Sequence, residues 1–371
     1  MVLFRVTLLP PISDASAQPS WLGNLRLVSP IGAGALDSMT PNYARPEMAR
    51  IWTTAFKYAT VVAVELAVCE AYARRGLIPS DAMNRIRRHA RVDDDRIPAL
   101  EQRTRHELVA ILTNLEERLG SDSRFLHMGL TSSDVLDTVL ALQLRSAADL
   151  LIAAEVSLCD LLRCLASAQT VELQHGHPAQ SDPRGLSRAA TGWLDEAQRN
   201  VSRLRRARDI ISVGKISGAV GNFAHVDPAI EVEVCSGLGL EPALAANQII
   251  QRDRHAEYCV SLAISASSLE RILRELPNFA ATQRVDLAGA AFCSLFDSWT
   301  LGGGGGVSAL AHVVRANALA ALQNVALWHE RDLSHSSVER LILPDSTMIL
   351  DYLLDVTIHL LRTTMDSDTR A

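Results

Sequence analysis

TSSDVLDTVLALQLRSAADLLIAAEVSLCDLLRCLASAQTVELQH, residues 131–175, contains neither glycine nor proline. Within it Leu136, Leu140, Leu144, Ala147, Leu151, Ala154 and Leu158 recur three or four positions apart. That spacing predicts one long amphipathic helix with a narrow apolar seam, of the kind that packs in a bundle. Its start is marked as well. Gly129 ends the preceding segment, and Thr131-Ser132-Ser133-Asp134 offers capping hydroxyls and an acid for the first turn. Three further stretches, 244–276, 307–343 and 345–371, are also free of glycine and proline. Helices of such length cannot fold back within themselves, so they must lie side by side. The fold class is therefore all-α. The seams suit either a core within the chain or burial against other subunits.

Working outward from this helix, residues 46–117 also read as helical, with punctuation at Gly76, Pro79 and Pro98. Residues 1–40 are rich in Pro, Gly and Ser and are expected to form a loose leader. The expected organisation is that leader, an N-terminal helical domain over 41–130, and a central long-helix bundle over 131–371. Only Gly214-Lys215-Ile216-Ser217-Gly218-Ala219-Val220-Gly221 reads as turns and short strands. Near Leu276 the pattern changes, and Pro277 is expected to interrupt the helix there.

Composition narrows the function classes. The 371 residues are 48% hydrophobic and 21% charged, enough to bury large cores, and only 5% aromatic. A net charge of −6 gives no case for nucleic acid or an anionic membrane surface as a partner. No apolar run is long enough to span a bilayer. The opening MVLFRVTLLPPISDASAQ faintly imitates an export signal, but two prolines break its apolar stretch, so a cytoplasmic location is expected. The six cysteines are scattered without a CxxC pair, which indicates neither a zinc site nor a disulfide framework. Lys57 and Lys215 are the only lysines; every other side-chain cation besides histidine is arginine.

Four polar clusters interrupt the helical text. Thr104-Arg105-His106-Glu107 suits either an anion site or a solvated helix face. His127 through Asp134 stands at the mouth of the long helix, where free amides and the helix dipole favour a phosphate or carboxylate, or serve capping alone. Gln174-His175-Gly176-His177 ends that helix, and an imidazole there suits acid–base work near neutral pH. Gln248 to His255 and Trp328 to Arg340 concentrate Arg, His and Ser, either around a polyanionic ligand or in ion-pair networks.

Together these stretches resemble the adenylosuccinate lyases of the fumarase/aspartase superfamily. The likeness rests on YARPEMARIW (43–52), TRHELVAIL (104–112), HMGLTSSDVLDT (127–138), GKISGAVGNFAHVDP (214–228), QIIQRDRHAEY (248–258) and NVALWHERDLSHSSVERLILPD (324–345), in the family's order. The resemblance implies β-elimination of fumarate from adenylosuccinate and from the succinyl-carboxamide ribotide of purine nucleotide synthesis. It implies no cofactor and no metal. It places the general acid on His175, supported by His106. Substrate contacts fall on Tyr43, Arg105, His106, Thr131, Ser132, Gln248, Arg331, Ser336 and Arg340, with His127 facing the same pocket. It further implies a homotetramer whose sites each draw on three subunits.

The family's signature loop, Gly-Ser-Ser-x-Met-Pro-x-Lys-x-Asn-Pro, belongs between Ile272 and Val307. Here residues 292–308 read FCSLFDSWTLGGGGGVS. Ungapped counting places Cys293 and Ser294 at the serine pair, which makes Ser294 the candidate general base; the lysine has no counterpart. Around His175, QHGHPAQSDPRG lacks the family's threonines, and Asn42 stands where an arginine usually precedes the tyrosine. The family's small C-terminal helical domain is expected to be absent. A non-catalytic relative, acting as a binding or scaffold subunit, stands as the alternative reading.

Overall fold

The computed structural model describes residues 43–167, 185–282, 307–327, 332 and 334–368. Eleven α-helices lie among them. The first five are α1 (Pro46–Ile51), α2 (Thr54–Arg74), α3 (Ser80–His89), α4 (Ile97–Thr104) and α5 (Glu107–Leu119). The long α6 (Ser132–Ser167) and α7 (Gly185–Ile211) follow, then α8 (Pro228–Leu238), α9 (Asp253–Thr282), α10 (Val307–Gln323) and α11 (Ser334–Asp368). Of the segment read as turns and short strands only Gly214 lies in a strand, β1 (Val213–Gly214), which pairs in parallel with β2 (Glu241–Pro242).

The long helix begins where its capping text predicts. The Thr131 amide donates to the Asp134 carboxylate at 2.8 Å, and the Asp134 amide returns to the Thr131 carbonyl at 3.0 Å. This reciprocal arrangement satisfies an amide at the helix start that the helix itself cannot pair. The predicted seam divides in two. Leu144, Ala147, Leu151 and Leu158 are buried in the bundle core, whereas Leu136 and Leu140 line a cleft. Val135, Val139 and Leu142 occupy the core at that end instead.

Two apolar cores result, and α6 passes through both. Its first turns pack with Val64, Val68, Ile111 and Leu115 from α2 and α5, and with Ile230 and Val234 from α8. The rest of α6 packs against α7 and α11, while α9 joins α7, α10 and α11. Trp193, Leu204, Leu262, Leu269, Val314 and Leu354 fill that second core.

Three boundaries differ from the expectation. The stretch 307–343 is not one helix; α10 ends at Gln323 and α11 begins at Ser334. Conversely, Pro344 lies inside α11, and α9 runs through position 277 to Thr282. A buried helix tolerates a proline when its surroundings hold the chain on course. Around Pro344 the Thr347 hydroxyl takes up the Leu343 and Pro344 carbonyls, at 3.0 and 2.9 Å. Trp52 then donates to that same hydroxyl oxygen at 2.9 Å, locking α11 to the turn after α1.

Helix α8 shows how a glycine ends a helix here. Gly239 adopts a left-handed φ of 69°, and the Leu240 amide reaches back to the Cys235 carbonyl at 2.8 Å. The Gly239 amide bonds Ser236 at 3.0 Å, completing a Schellman closure that releases the chain into β2.

A carboxylate is buried inside the bundle. Glu155 of α6 accepts from Ser265 of α9 at 2.9 Å, and burial pushes its carboxyl up to about 7 despite bonds from Ser265 and Asn200. The raised value means the folded state holds this proton more tightly than the unfolded chain. Stability from Glu155 is therefore full below about 4.5 and is lost as pH rises through about 7. Glu155→Gln, which copies the neutral form, is expected to be more stable than the parent at pH 8, by up to about 3 kcal/mol. At pH 5 the two should agree within about 1 kcal/mol. Urea unfolding at both pH values reads this, and an equal difference at both would refute it.

Candidate active site

The start of α6, the first turns of α11, the residues before α9 and the N-terminal turns of α2 and α5 converge on one cleft. It encloses about 910 Å³, the part open to solvent included. Its walls include Lys57, Glu107, Ser133, Asp137, Arg252, His335, Ser336, Glu339 and Arg340.

One wall rests on a buried arginine. Arg252 donates to both Asp137 oxygens at 2.9 Å, to Glu339 at 3.0 Å and to the Ile250 carbonyl at 2.8 Å. His335 Nε2 lies 2.9 Å from the same guanidinium. Burial works against the Asp137 charge, but Arg252 and the Ile250 amide more than reverse it and hold the carboxyl below its usual range. Glu339 has a weaker share of Arg252, and burial pushes it up to about 7. Burial and the adjacent Arg252 charge push His335 down to about 4, and the same causes hold His255 well below the usual imidazole range. Both rings are thus neutral at pH 7.

The opposite side carries a second charge cluster. Lys57 in the first turn of α2 meets one Glu107 oxygen at 2.5 Å, and Arg340 meets the other at 3.3 Å. His106, next to Glu107, forms the N-cap of α5, its Nδ1 accepting from the Val109 amide at 3.4 Å. Its Nε2 faces the Ser132 hydroxyl at the start of α6, 3.3 Å away.

Sequence-predicted residues are distributed unevenly. Ser336 and Arg340 line the cleft, while His106 and Ser132 meet each other beside it, adjoining Glu107 and Ser133. Thr131 caps α6, and Gln248 is half-buried next to the cleft residue Ile249. Arg105 is exposed, with a left-handed φ of 55° where α4 ends. His127 turns onto buried Glu65, to which its amide donates at 2.8 Å and its Nδ1 bonds at 2.7 Å. Tyr43 stacks edge-on against Tyr352, ring centroids 5.3 Å apart. Tyr352 stands twelve residues beyond Arg340 on α11, roughly 18 Å along the axis. His175, Ser294 and Arg331 lie outside the described residues.

Several cleft residues escape the sequence reading. Asp137 and Glu107 sit inside quoted motifs and Lys57 lies five residues beyond one, yet no local pattern sets them apart from ordinary surface charge. The strand segment holds another hidden pair. Lys215 is fully buried and meets Asp134 at 2.5 Å, while the Ser217 and Gly218 amides donate to the same carboxylate. Asp134 thus does more than cap: it pins the 215–218 turn beneath the mouth of the cleft.

Among the described residues no three His, Cys, Asp or Glu side chains gather as a metal site, and no helix is long and apolar enough to cross a membrane. A family model described as lyase matches residues 40–290. The adenylosuccinate lyase of Synechocystis sp. is 42% identical over 341 residues, covering 87% of this chain and 77% of its own. Those of Thermotoga maritima and Bacillus subtilis are 38% and 37% identical, with 87% and 85% of this chain covered and 77% and 75% of theirs. Among solved structures, a fumarate lyase from Mesorhizobium sp. BNC1 superposes with a TM-score of 0.71 at 23% identity, covering 86% of this chain and 75% of that one. A β-carboxy-cis,cis-muconate cycloisomerase from Acinetobacter calcoaceticus gives 0.72 at 20% identity, with 88% and 78% covered. Those two likenesses concern the fold.

Proposed function

The chain belongs to the adenylosuccinate lyases of the lyase family, and on that premise we propose how its residues share the work. It is a carbon–nitrogen lyase that splits adenylosuccinate by β-elimination, releasing fumarate and leaving AMP. We extend the same chemistry to succinyl-carboxamide ribotide, whose succinyl group is attached through nitrogen in the same way.

In that reaction a base removes the proton from the succinyl Cβ, and the electron pair is held as a carboxylate-stabilised carbanion. The Cα–N bond then breaks, and an acid protonates the departing nitrogen. We assign the acid to His175 with His106 in support, and the base to Ser294. Tyr43, Arg105, His127, Thr131, Ser132, Gln248, Arg331, Ser336 and Arg340 bind the substrate's anionic and ribose groups. Anions suit this place because α6 presents the positive end of its dipole there.

The observation that carries the reading is convergence. Residues from TRHELVAIL, HMGLTSSDVLDT and the Trp328–Arg340 stretch, far apart in the chain, meet at one cleft through the 3.3 Å contacts of His106 with Ser132 and of Arg340 with Glu107. Tyr43 stands well away from it, which fits sites shared between subunits. We accordingly propose a homotetramer in the cytoplasm, with the long helices forming its centre. Exposed Leu319, Leu322 and Leu341, at 60%, 50% and 49% exposure, offer apolar surface for that packing.

The test is direct. Purified protein supplied with adenylosuccinate should release fumarate and AMP in equal amounts, with kcat of about 1–10³ s⁻¹. Binding of AMP without any fumarate release would overturn the enzymatic reading.

A further inference from the structure

Lys57 is an odd residue to find where it stands. It occupies the first turn of α2, just after the Thr53 cap, where the helix dipole disfavours a cation. Helix stability therefore does not explain it. Of the chain's two lysines, Lys215 is wholly enclosed and committed to Asp134. Lys57 alone presents an ammonium to a cleft, at 23% side-chain exposure.

Its partner is shared. Glu107 gives one oxygen to Lys57 and the other to Arg340, and Glu107 is itself only 14% exposed. Two cations thus face the cleft around one carboxylate, leaving a net positive charge next to Ser133 and Ser336. A carboxylate bridging an ammonium and a guanidinium has the geometry that an incoming oxyanion would adopt between them.

We propose that Lys57 is a substrate-binding residue: with Arg340 it takes one oxyanion group of the substrate, a phosphate or a carboxylate, and Glu107 holds the two cations at the right spacing until that group arrives. This deepens the lyase reading and rests on it for the identity of the substrate. The two sources of oxyanion are separable, because AMP carries only the phosphate and fumarate only the carboxylates.

Calorimetric titration of the full chain with AMP and with fumarate tests the proposal, using the parent, Lys57→Ala, Lys57→Arg and Glu107→Gln. Lys57→Ala is expected to weaken one of the two ligands by about tenfold or more, as for loss of a charged hydrogen bond. AMP as the weakened ligand assigns the group as phosphate; fumarate assigns it as carboxylate. Lys57→Arg should keep affinity within about threefold, since it restores the charge. Glu107→Gln should leave binding equal or tighter, because it removes the internal competitor.

Both ligands staying within about twofold in Lys57→Ala overturns the proposal. So does failure of the parent to bind either ligand, or a loss in Glu107→Gln equal to that in Lys57→Ala, which would make Lys57 a support for Arg340 alone. Should Lys57→Ala fold poorly, the proposal rests on Glu107→Gln and Lys57→Arg, and weakened binding in either one overturns it. Absent turnover with intact, Lys57-dependent AMP binding would count against the lyase reading and leave the Lys57 assignment standing.

Discussion

Arg252→Ala is expected to lower the unfolding free energy by about 3–5 kcal/mol, as breaking a buried ion pair by removing one partner does. The guanidinium is 2% exposed, and the two carboxylates it serves, on Asp137 and Glu339, are each 7% exposed. Without Arg252 both buried carboxylates lose the cation they share. Each would answer by taking up a proton: Asp137 would rise from its lowered value, and Glu339 would rise further above its usual one. A raised value means stability is recovered as pH falls, and the deficit of the variant should shrink between pH 8 and pH 5. Urea unfolding at the two pH values measures this. An exposed pair provides the contrast: Arg206 with Glu257, at 75% and 41% exposure, should contribute under about 1 kcal/mol when Arg206 is truncated. A loss below about 1 kcal/mol for Arg252→Ala would refute the account. Activity should fall with stability, because Arg252 ties the α11 turns bearing Ser336 and Arg340 to α6 through Asp137.

The same arginine shows how far the sequence could be read. The density of Arg, His and Ser in 248–255 and 328–340 allowed a polyanion pocket or an ion-pair network, and the two readings apply to different residues of one helix. On α11, His335 and Glu339 bond Arg252 while Arg340 bonds Glu107, and all three line the cleft together with Ser336. Helical periodicity separates such faces only when the partner helix is known, and Asp137 lies 115 residues from Arg252. Local signals fared better. The Thr131–Asp134 cap needs nothing beyond four consecutive residues, and it forms where its text implies, through the Asp134 carboxylate rather than the hydroxyls. The seam of α6 was legible as a period but not as a destination, since Leu136 and Leu140 border the cleft and only the later positions enter the bundle core. Glycine and proline misled where tertiary contacts outweigh them: Pro344 continues a helix, while a stretch with neither residue breaks after Gln323. The lysines were legible only as a shortage. That Lys57 faces the cleft and Lys215 is buried depends on Glu107 and Asp134, fifty and eighty-one residues away.

Loss of the His106 imidazole should show in the rate and hardly at all in the fold. The ring does two separable things. Its Nδ1 accepts from the Val109 amide as the N-cap of α5, and its Nε2 faces Ser132 beside the cleft. Alanine removes both, and the lost cap alone is worth about 1 kcal/mol of stability. Asparagine is a strong N-cap residue whose side-chain oxygen can take the Val109 amide, yet it carries no group that titrates near neutral pH. His106→Asn is therefore expected to melt with the parent while kcat for fumarate release falls by about 10²–10⁴, the usual contribution of a positioned acid or base. His106→Ala should show the same kcat and a slightly lower melting temperature. The split matters because a merely structural histidine predicts the reverse order, with Ala impaired and Asn restored in both stability and rate. An Asn variant turning over within about threefold of the parent would remove His106 from the acid–base machinery and leave it as a cap.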